Sequence, residues 1–421
     1  MQFPASASQV AEAQAPPLIL PGEHFTAALA FFALGATGLV AIAPELAVGA
    51  FFVPRVVAVV HLFTLGWIML SIFGALCQFL PVAIGRGLRW PALAHVTFSL
   101  QILGAAGFVV GLAIGRSSSI VIGASALSAA FVLFALHLGV TLASVRERSV
   151  TWWALAGATV FLVVTPLYGL ALQLNVIDGL GVHRFHVVAV HAHVAIVGIV
   201  LLVIVGVAHR LIPMFLLSHG ANERPAWVAV ALLFVGAGLL ALPVGGLRVD
   251  VVGGVVAAAG VIAFVIQAIA FFRHRKRRAL DPGMRLAAAG LLGLLAAVTI
   301  APVAFSRGLG DIRLLTTYFI VLLGAITLFV AGHYYKIVPF LVWYHRFGPL
   351  VGVRKVPKVA ELFSERAASV SGLALAIGYG GLALGTYLGS LAAVRAGAVS
   401  FVIGVLVEAI VIAGIARRRP L

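Results

Sequence analysis

Apolar stretches of 20 or more residues recur along this chain between residues 25 and 416. Each is long enough to cross a hydrocarbon core of about 30 Å at 1.5 Å per residue. Within a bilayer the backbone N–H and C=O groups find no water, so a spanning segment must be a helix or part of a closed barrel. A barrel strand alternates in polarity, whereas these runs are apolar on every face. The expected class is therefore all-α integral membrane. Composition agrees, with 63% of the 421 residues hydrophobic and 10% charged, against roughly 25% charged in a soluble domain. No polar stretch is long enough for a separate soluble domain, so residues 1–421 read as a single membrane domain.

Twelve spans are expected, at about 25–44, 54–82, 91–115, 118–143, 151–173, 187–214, 226–246, 250–272, 284–305, 313–341, 368–390 and 393–416. Pro54, Pro81, Pro213, Pro225 and Pro339 are expected to punctuate ends. Residues 1–24 contain no Lys or Arg and no apolar core, unlike a cleaved signal peptide, and read as a cytoplasmic N-terminal segment. The single cysteine, Cys77, excludes an internal disulfide, a covalent CxxCH haem site and a thiolate cluster.

The formal charge is +16. Threaded through twelve spans, 21 of the 28 Lys and Arg fall on one side, including the run Arg273 to Arg278 and Arg417 to Arg419, and 7 fall on the other. The positive-inside rule puts the first side, and both termini, in the cytoplasm of a multi-pass cell (inner or plasma) membrane protein. Membrane lipid is the expected partner of the RHRKRR run, and nucleic acid is not.

Three spans share a pattern. The second reads HLFTLGWIMLSIFGALCQFLP from His61, the sixth HVAIVGIVLLVIVGVAHRLIP from His193, and the tenth FIVLLGAITLFVAGHYYKIVP from Phe319. Gly, Gly and Pro fall at +5, +13 and +20 in all three. Small residues on one helix face allow close approach in lipid. The spacing predicts three four-helix units, about 25–143, 151–272 and 284–416, around a pseudo-threefold axis.

An ionisable residue within a span is costly and is read first as functional. His61 and His193 lie at matched depth. His191, two residues before His193, points about 160° away from it at 100° per residue. One helix thus offers an imidazole to each of two neighbouring compartments, and a neutral imidazole is a good axial ligand for haem iron. His209 and His333 form a deeper tier, with His209 five helical turns, about 27 Å, from His191 on the same face. His95 and His137 read as helix-to-helix hydrogen bonds, and His183 and His186 as loop residues or gate groups. Glu408 is the only carboxylate well inside a span, suited to proton transfer or to structural hydrogen bonding. Tyr334, Tyr335 and Lys336 adjoin His333.

Twelve spans in three units, a histidine on the second helix and a His-x-His on a marked helix resemble subunit I of the haem–copper oxidases. The phrases HLFTLGWIMLSIFGALCQFLP and HAHVAIVGIVLLVIVGVAHRLIPMF are similar to oxidase-subunit-I-like membrane proteins of that superfamily. The resemblance covers nearly the whole chain. It implies a haem b protein, with one or two haems, in respiratory electron transfer or in handling NO or O₂. An electron donor protein or quinol would be its partner. In the family the second-helix histidine is an axial ligand of the low-spin haem, a role that carries over to His61. The family's His-x-His stands on the tenth helix. Here the pair His191 and His193 is on the sixth, and Phe319 occupies the matched place on the tenth. The resemblance therefore implies a haem moved toward His61 and His193. The family's copper ligands are missing: the seventh span has no histidine, and Ala195 stands four residues after His191 where a tyrosine is needed. Copper is not expected.

Two alternatives remain at this level. One is an oxidoreductase acting on O₂ or NO through an atypical metal site near His191, His209 and His333. The other is a transporter without cofactor, a class in which Gly- and Pro-broken helices are common. The loop from Phe347 to Arg366 suggests a short interfacial helix at KVAELFSE and a docking site.

Overall fold

The structure is a computed structural model that describes residues 17–174, 184–242 and 246–420. The described residues are helical almost throughout. Twelve apolar helices follow in order: α1 (Ile19–Ala41), α2 (Pro54–Ile84), α3 (Pro91–Ile114), α4 (Ser117–Ala143), α5 (Val150–Gln173), α6 (Arg184–Leu216), α7 (Arg224–Leu240), α8 (Gly246–Arg273), α9 (Pro282–Arg307), α10 (Ile312–Arg346), α11 (Glu365–Leu388) and α12 (Leu391–Arg417). Ten stretches among the described residues are long and apolar enough to cross a membrane. The longest, Pro282–Arg346, contains both α9 and α10, which meet at a 3₁₀ turn over Gly308–Asp311. The chain is thus a multi-pass membrane protein.

Helix starts follow capping chemistry. Pro54 and Pro225 sit in first turns, where a missing N–H costs nothing. Ser149, Asp281, Asp311, Ser364 and Ser390 each accept a hydrogen bond from the backbone N–H three residues on, opening α5, α9, α10, α11 and α12. α1 starts six residues earlier than the apolar pattern suggests. Pro21 is tolerated near its start, and His24 is covered by protein rather than exposed to lipid. Pro81, Pro213 and Pro339 do not end their helices but lie inside them. Membrane helices keep such prolines because neighbouring groups satisfy the freed carbonyls. The interfacial helix expected after Lys358 is a single 3₁₀ turn, Val359–Leu362.

The chain divides into two compact units. The first takes the chain up to Phe25 and Met69–Arg277, and the second Thr26–Ile68 and Arg278–Leu421. In the first unit α3 packs on α4, and α7 on α8, through small residues. A Cβ on Gly104 would lie 2.9 Å from Leu127, and one on Gly236 2.7 Å from the Ala257 backbone. In the second unit α11 and α12 meet through Gly378, Gly385, Gly397 and Gly404, each with opposing backbone or side-chain atoms at 2.5–2.7 Å from such a Cβ. The three hairpins occupy equivalent places in the three expected repeats.

The marked glycines also pack alike. A Cβ on Gly66, Gly198 or Gly324 would fall inside an aromatic ring: Phe31 of α1, Phe161 of α5 and Tyr379 of α11 respectively. The second glycine of each set receives the first helix of its repeat. Gly74 meets His24, Gly206 meets Ala154, and Gly332 meets Gly283 and Ala287. Thr151 Oγ1 adds a hydrogen bond to the Gly206 carbonyl at 2.8 Å.

In the second unit Asp281 has two duties. It caps α9 by accepting from Met284 N–H at 3.1 Å, and its other oxygen meets Lys336 Nζ at 2.6 Å. Lys336 is largely buried at this ion pair. Asp281→Ala is expected to cost about 2 kcal/mol, combining a lost cap with a lost, largely buried ion pair. Asp281→Ser, which keeps the cap alone, should recover part of that loss in a thermal-unfolding measurement.

Candidate functional site

α2 and α6 share a feature that the spacing of small residues does not reveal. Both are α-helical up to the matched histidine and change to π-helix on the next residue. The π segments are Leu62–Met69 after His61 and Val194–Leu201 after His193, eight residues each. π segments are rare and concentrate at functional sites, because the wider turn redirects side chains around it. α10 has the same glycine and proline spacing but Phe319 instead of histidine, and it stays α-helical throughout. The π segment therefore accompanies the histidine rather than the glycines.

The two imidazoles also share a posture. Nδ1 of His61 lies 2.8 Å from the Val57 carbonyl, and Nδ1 of His193 lies 2.7 Å from the Ala189 carbonyl. A carbonyl only accepts, so Nδ1 carries the proton and Nε2 the lone pair. This is the tautomer of a metal-ligating histidine, whose donated N–H fixes the ring and raises ligand basicity. Both residues are half-buried.

His191 turns the other way, as the 160° offset requires. Its Nδ1 lies 3.2 Å from the Thr165 carbonyl on α5, and its Cε1 lies over Gly169, 3.3 Å from where a Cβ would be. The absence of a side chain at Gly169 makes room for the ring. His333, on α10, is buried and donates Nδ1–H to the Phe329 carbonyl at 2.8 Å, so it shares the posture of His61 and His193.

His209 differs. Its Nε2 faces Glu223 at 3.4 Å, and its ring lies 5.8 Å from Phe271. The five-turn alignment with His191 does not hold, because the intervening π segment breaks the 100° step; His191 faces α5, whereas His209 faces Glu223 and α8. With Nε2 directed at a carboxylate, His209 would have Nδ1 rather than Nε2 left to meet a metal, unlike His61 and His193.

Two further histidines link elements. His137 Nε2 pairs with the Arg89 carbonyl, and His186 lies 3.4 Å from Asp250. His183 lies outside the described residues. Glu408 is fully buried near Tyr335, and neither carboxyl oxygen has a hydrogen-bond partner among the described residues.

Sequence reading missed a polar cluster at the start of α1. His95 Nδ1 lies 2.7 Å from Glu23 Oε1, and the same oxygen lies 3.8 Å from His24 Nδ1. The groups pass from half-exposed His95 to fully buried His24, whose Nδ1 meets the Leu20 carbonyl at 2.8 Å. His24 Nδ1–H is committed to the Leu20 carbonyl, so the hydrogen-bonded pair in this cluster is His95 and Glu23. Its only trace in the sequence is the Glu-His pair just ahead of the apolar run.

The second unit also contains a small apolar cavity of about 90 Å³ beside Phe319. α2 contributes Val56, Val59, Val60 and Phe63 to its wall. At 100° per residue His61 lies about 140° from the middle of that face, so it points away from the cavity. Phe319 thus extends an oily wall where the resemblance would place a ligand.

Comparison with known proteins finds no matching family model and no matching curated sequence.

Proposed function

We propose that this chain is a membrane-embedded b-type haem protein resembling haem–copper oxidase subunit I, acting in respiratory electron transfer or in handling NO or O₂. One observation carries the reading. His61 and His193, matched in depth and spacing, have the same ligand tautomer and the same following π segment. Each supplies an axial imidazole through Nε2, while its donated Nδ1–H holds the ring. His191 and His333, each with Nδ1 at a carbonyl, are further candidate haem ligands. A bound haem would supply a one-electron iron centre. The chain's part is to orient the imidazoles and to surround them with apolar side chains, which exclude water and set the potential.

The equivalent glycine packing supports three four-helix units. The 21:7 charge split supports an inner-membrane orientation with both termini cytoplasmic. An electron donor protein or quinol would deliver electrons. Among the described residues no group of three or more His, Cys, Asp or Glu could hold a metal ion. The reading is without the usual active-site copper, because the seventh span has no histidine and Ala195 stands four residues after His191.

The test is an absorption spectrum of the purified protein from haem-supplied cells, oxidised and dithionite-reduced, with a pyridine haemochrome assay. Sharp reduced bands of low-spin haem b are expected. A colourless protein would overturn the reading and favour the transporter.

A further inference from the structure

The last turn of α10 gathers basic residues that lie far apart in the sequence. Trp343 Nε1 donates to the Pro357 carbonyl at 2.7 Å, folding the loop with Arg354, Lys355 and Lys358 back onto the helix end. Three residues on, Arg346 Nη1 donates to the carbonyls of Ala416 and Arg418 at 2.7 and 2.6 Å, drawing in the C-terminal end of α12. Arg354, Lys355, Lys358, Arg417, Arg418 and Arg419 are all exposed. Glu361 is turned toward the backbone, accepting from Lys358 N–H at 3.0 Å.

The same loop exposes apolar side chains. Val351 is 57% and Val353 79% exposed, directly ahead of Arg354. Exposed valines would be a liability in water, but at the end of a membrane helix they can enter the acyl boundary. Trp343, on the same turn, is a residue type enriched at membrane–water interfaces. Apolar side chains to enter the bilayer edge, ringed by cations at headgroup level, complement a phosphate carried on an acyl tail. A free phosphate would leave the valines unused.

We propose that the last turn of α10, the Val351–Lys358 loop and Arg417–Arg419 form a binding site for an anionic phospholipid. The bases hold the headgroup phosphate and Val351 and Val353 enter the acyl region. Haem binding plays no part in this site.

The full-length protein in nanodiscs would be tested by native mass spectrometry for retained phosphatidylglycerol against phosphatidylcholine. The wild type is expected to retain phosphatidylglycerol preferentially, and less so at high salt. Lys355→Gln/Lys358→Gln combined with Arg418→Gln/Arg419→Gln should lower that retention several-fold, and by more than neutralising Arg275 to Arg278 does. The indole introduced by Val353→Trp should be quenched by brominated acyl chains. The proposal is overturned by equal retention of both lipids, by loss that follows the Arg275–Arg278 variant instead, by absence of quenching in the Val353→Trp variant, or by inorganic phosphate displacing the lipid completely. Arg346 is left intact because it also ties down α12. A thermal-unfolding midpoint matching the wild type certifies each variant.

Discussion

Replacing His193 with glycine is expected to abolish the low-spin haem b spectrum, and replacing His61 with glycine to do the same. The π segment that follows each ring sets these two apart from the other histidines that bond their own helix. Each donates Nδ1–H to its own helix four residues back, and each heads a π segment. Removing an axial imidazole takes away the iron bond itself, a larger effect than the roughly 10- to 100-fold typical of losing an outer hydrogen-bond partner. Glycine leaves a hole of imidazole size. Excess free imidazole should therefore restore the reduced bands in the glycine variants, whereas a helix that had merely collapsed would stay colourless. Haem retained with unchanged bands in both glycine variants would remove the ligand assignment.

The second large effect is steric. Gly198→Ala should lower the thermal midpoint strongly, since its Cβ would occupy the Phe161 ring. Inserting a methyl group into a filled interior costs about 1–3 kcal/mol, and more when the obstacle is an aromatic ring that cannot swing away. The double variant Gly198→Ala/Phe161→Ala should be less unstable than the sum of its parts, by an interaction of about 1 kcal/mol or more. Because Gly66 receives Phe31 and Gly324 receives Tyr379 in the same way, the pairs Gly66→Ala/Phe31→Ala and Gly324→Ala/Tyr379→Ala should show coupling of the same sign. Additive behaviour at all three positions would mean that the shared spacing is coincidental. Midpoints measured in one detergent make the comparison.

Much of this was legible in the residues. Span positions followed from apolar length, because lipid leaves a backbone no alternative to internal hydrogen bonding. The start of α1 was missed by six residues, because Pro21, Glu23 and His24 interrupt the apolar run there, although protein covers His24. Hydropathy scores a residue's cost in lipid and cannot tell that its neighbour is a helix. The depth match of His61 and His193 was visible as spacing, and so was the opposed direction of His191, since the α-helical step holds up to His193.

Residue order alone accounts for an all-helical, many-span chain with glycine faces and a few costly histidines, because hydrophobicity and helical period are local properties. Packing in three dimensions settled the rest: which ring fills each glycine, that Glu23 lies between His95 and His24, and that His209 is claimed by Glu223. It also settled that α10, with the same glycine spacing, runs without a π segment. Those outcomes depend on contacts between segments well separated along the chain, and on a change of helical pitch that redirects every side chain beyond it. No local pattern in the chain records either one.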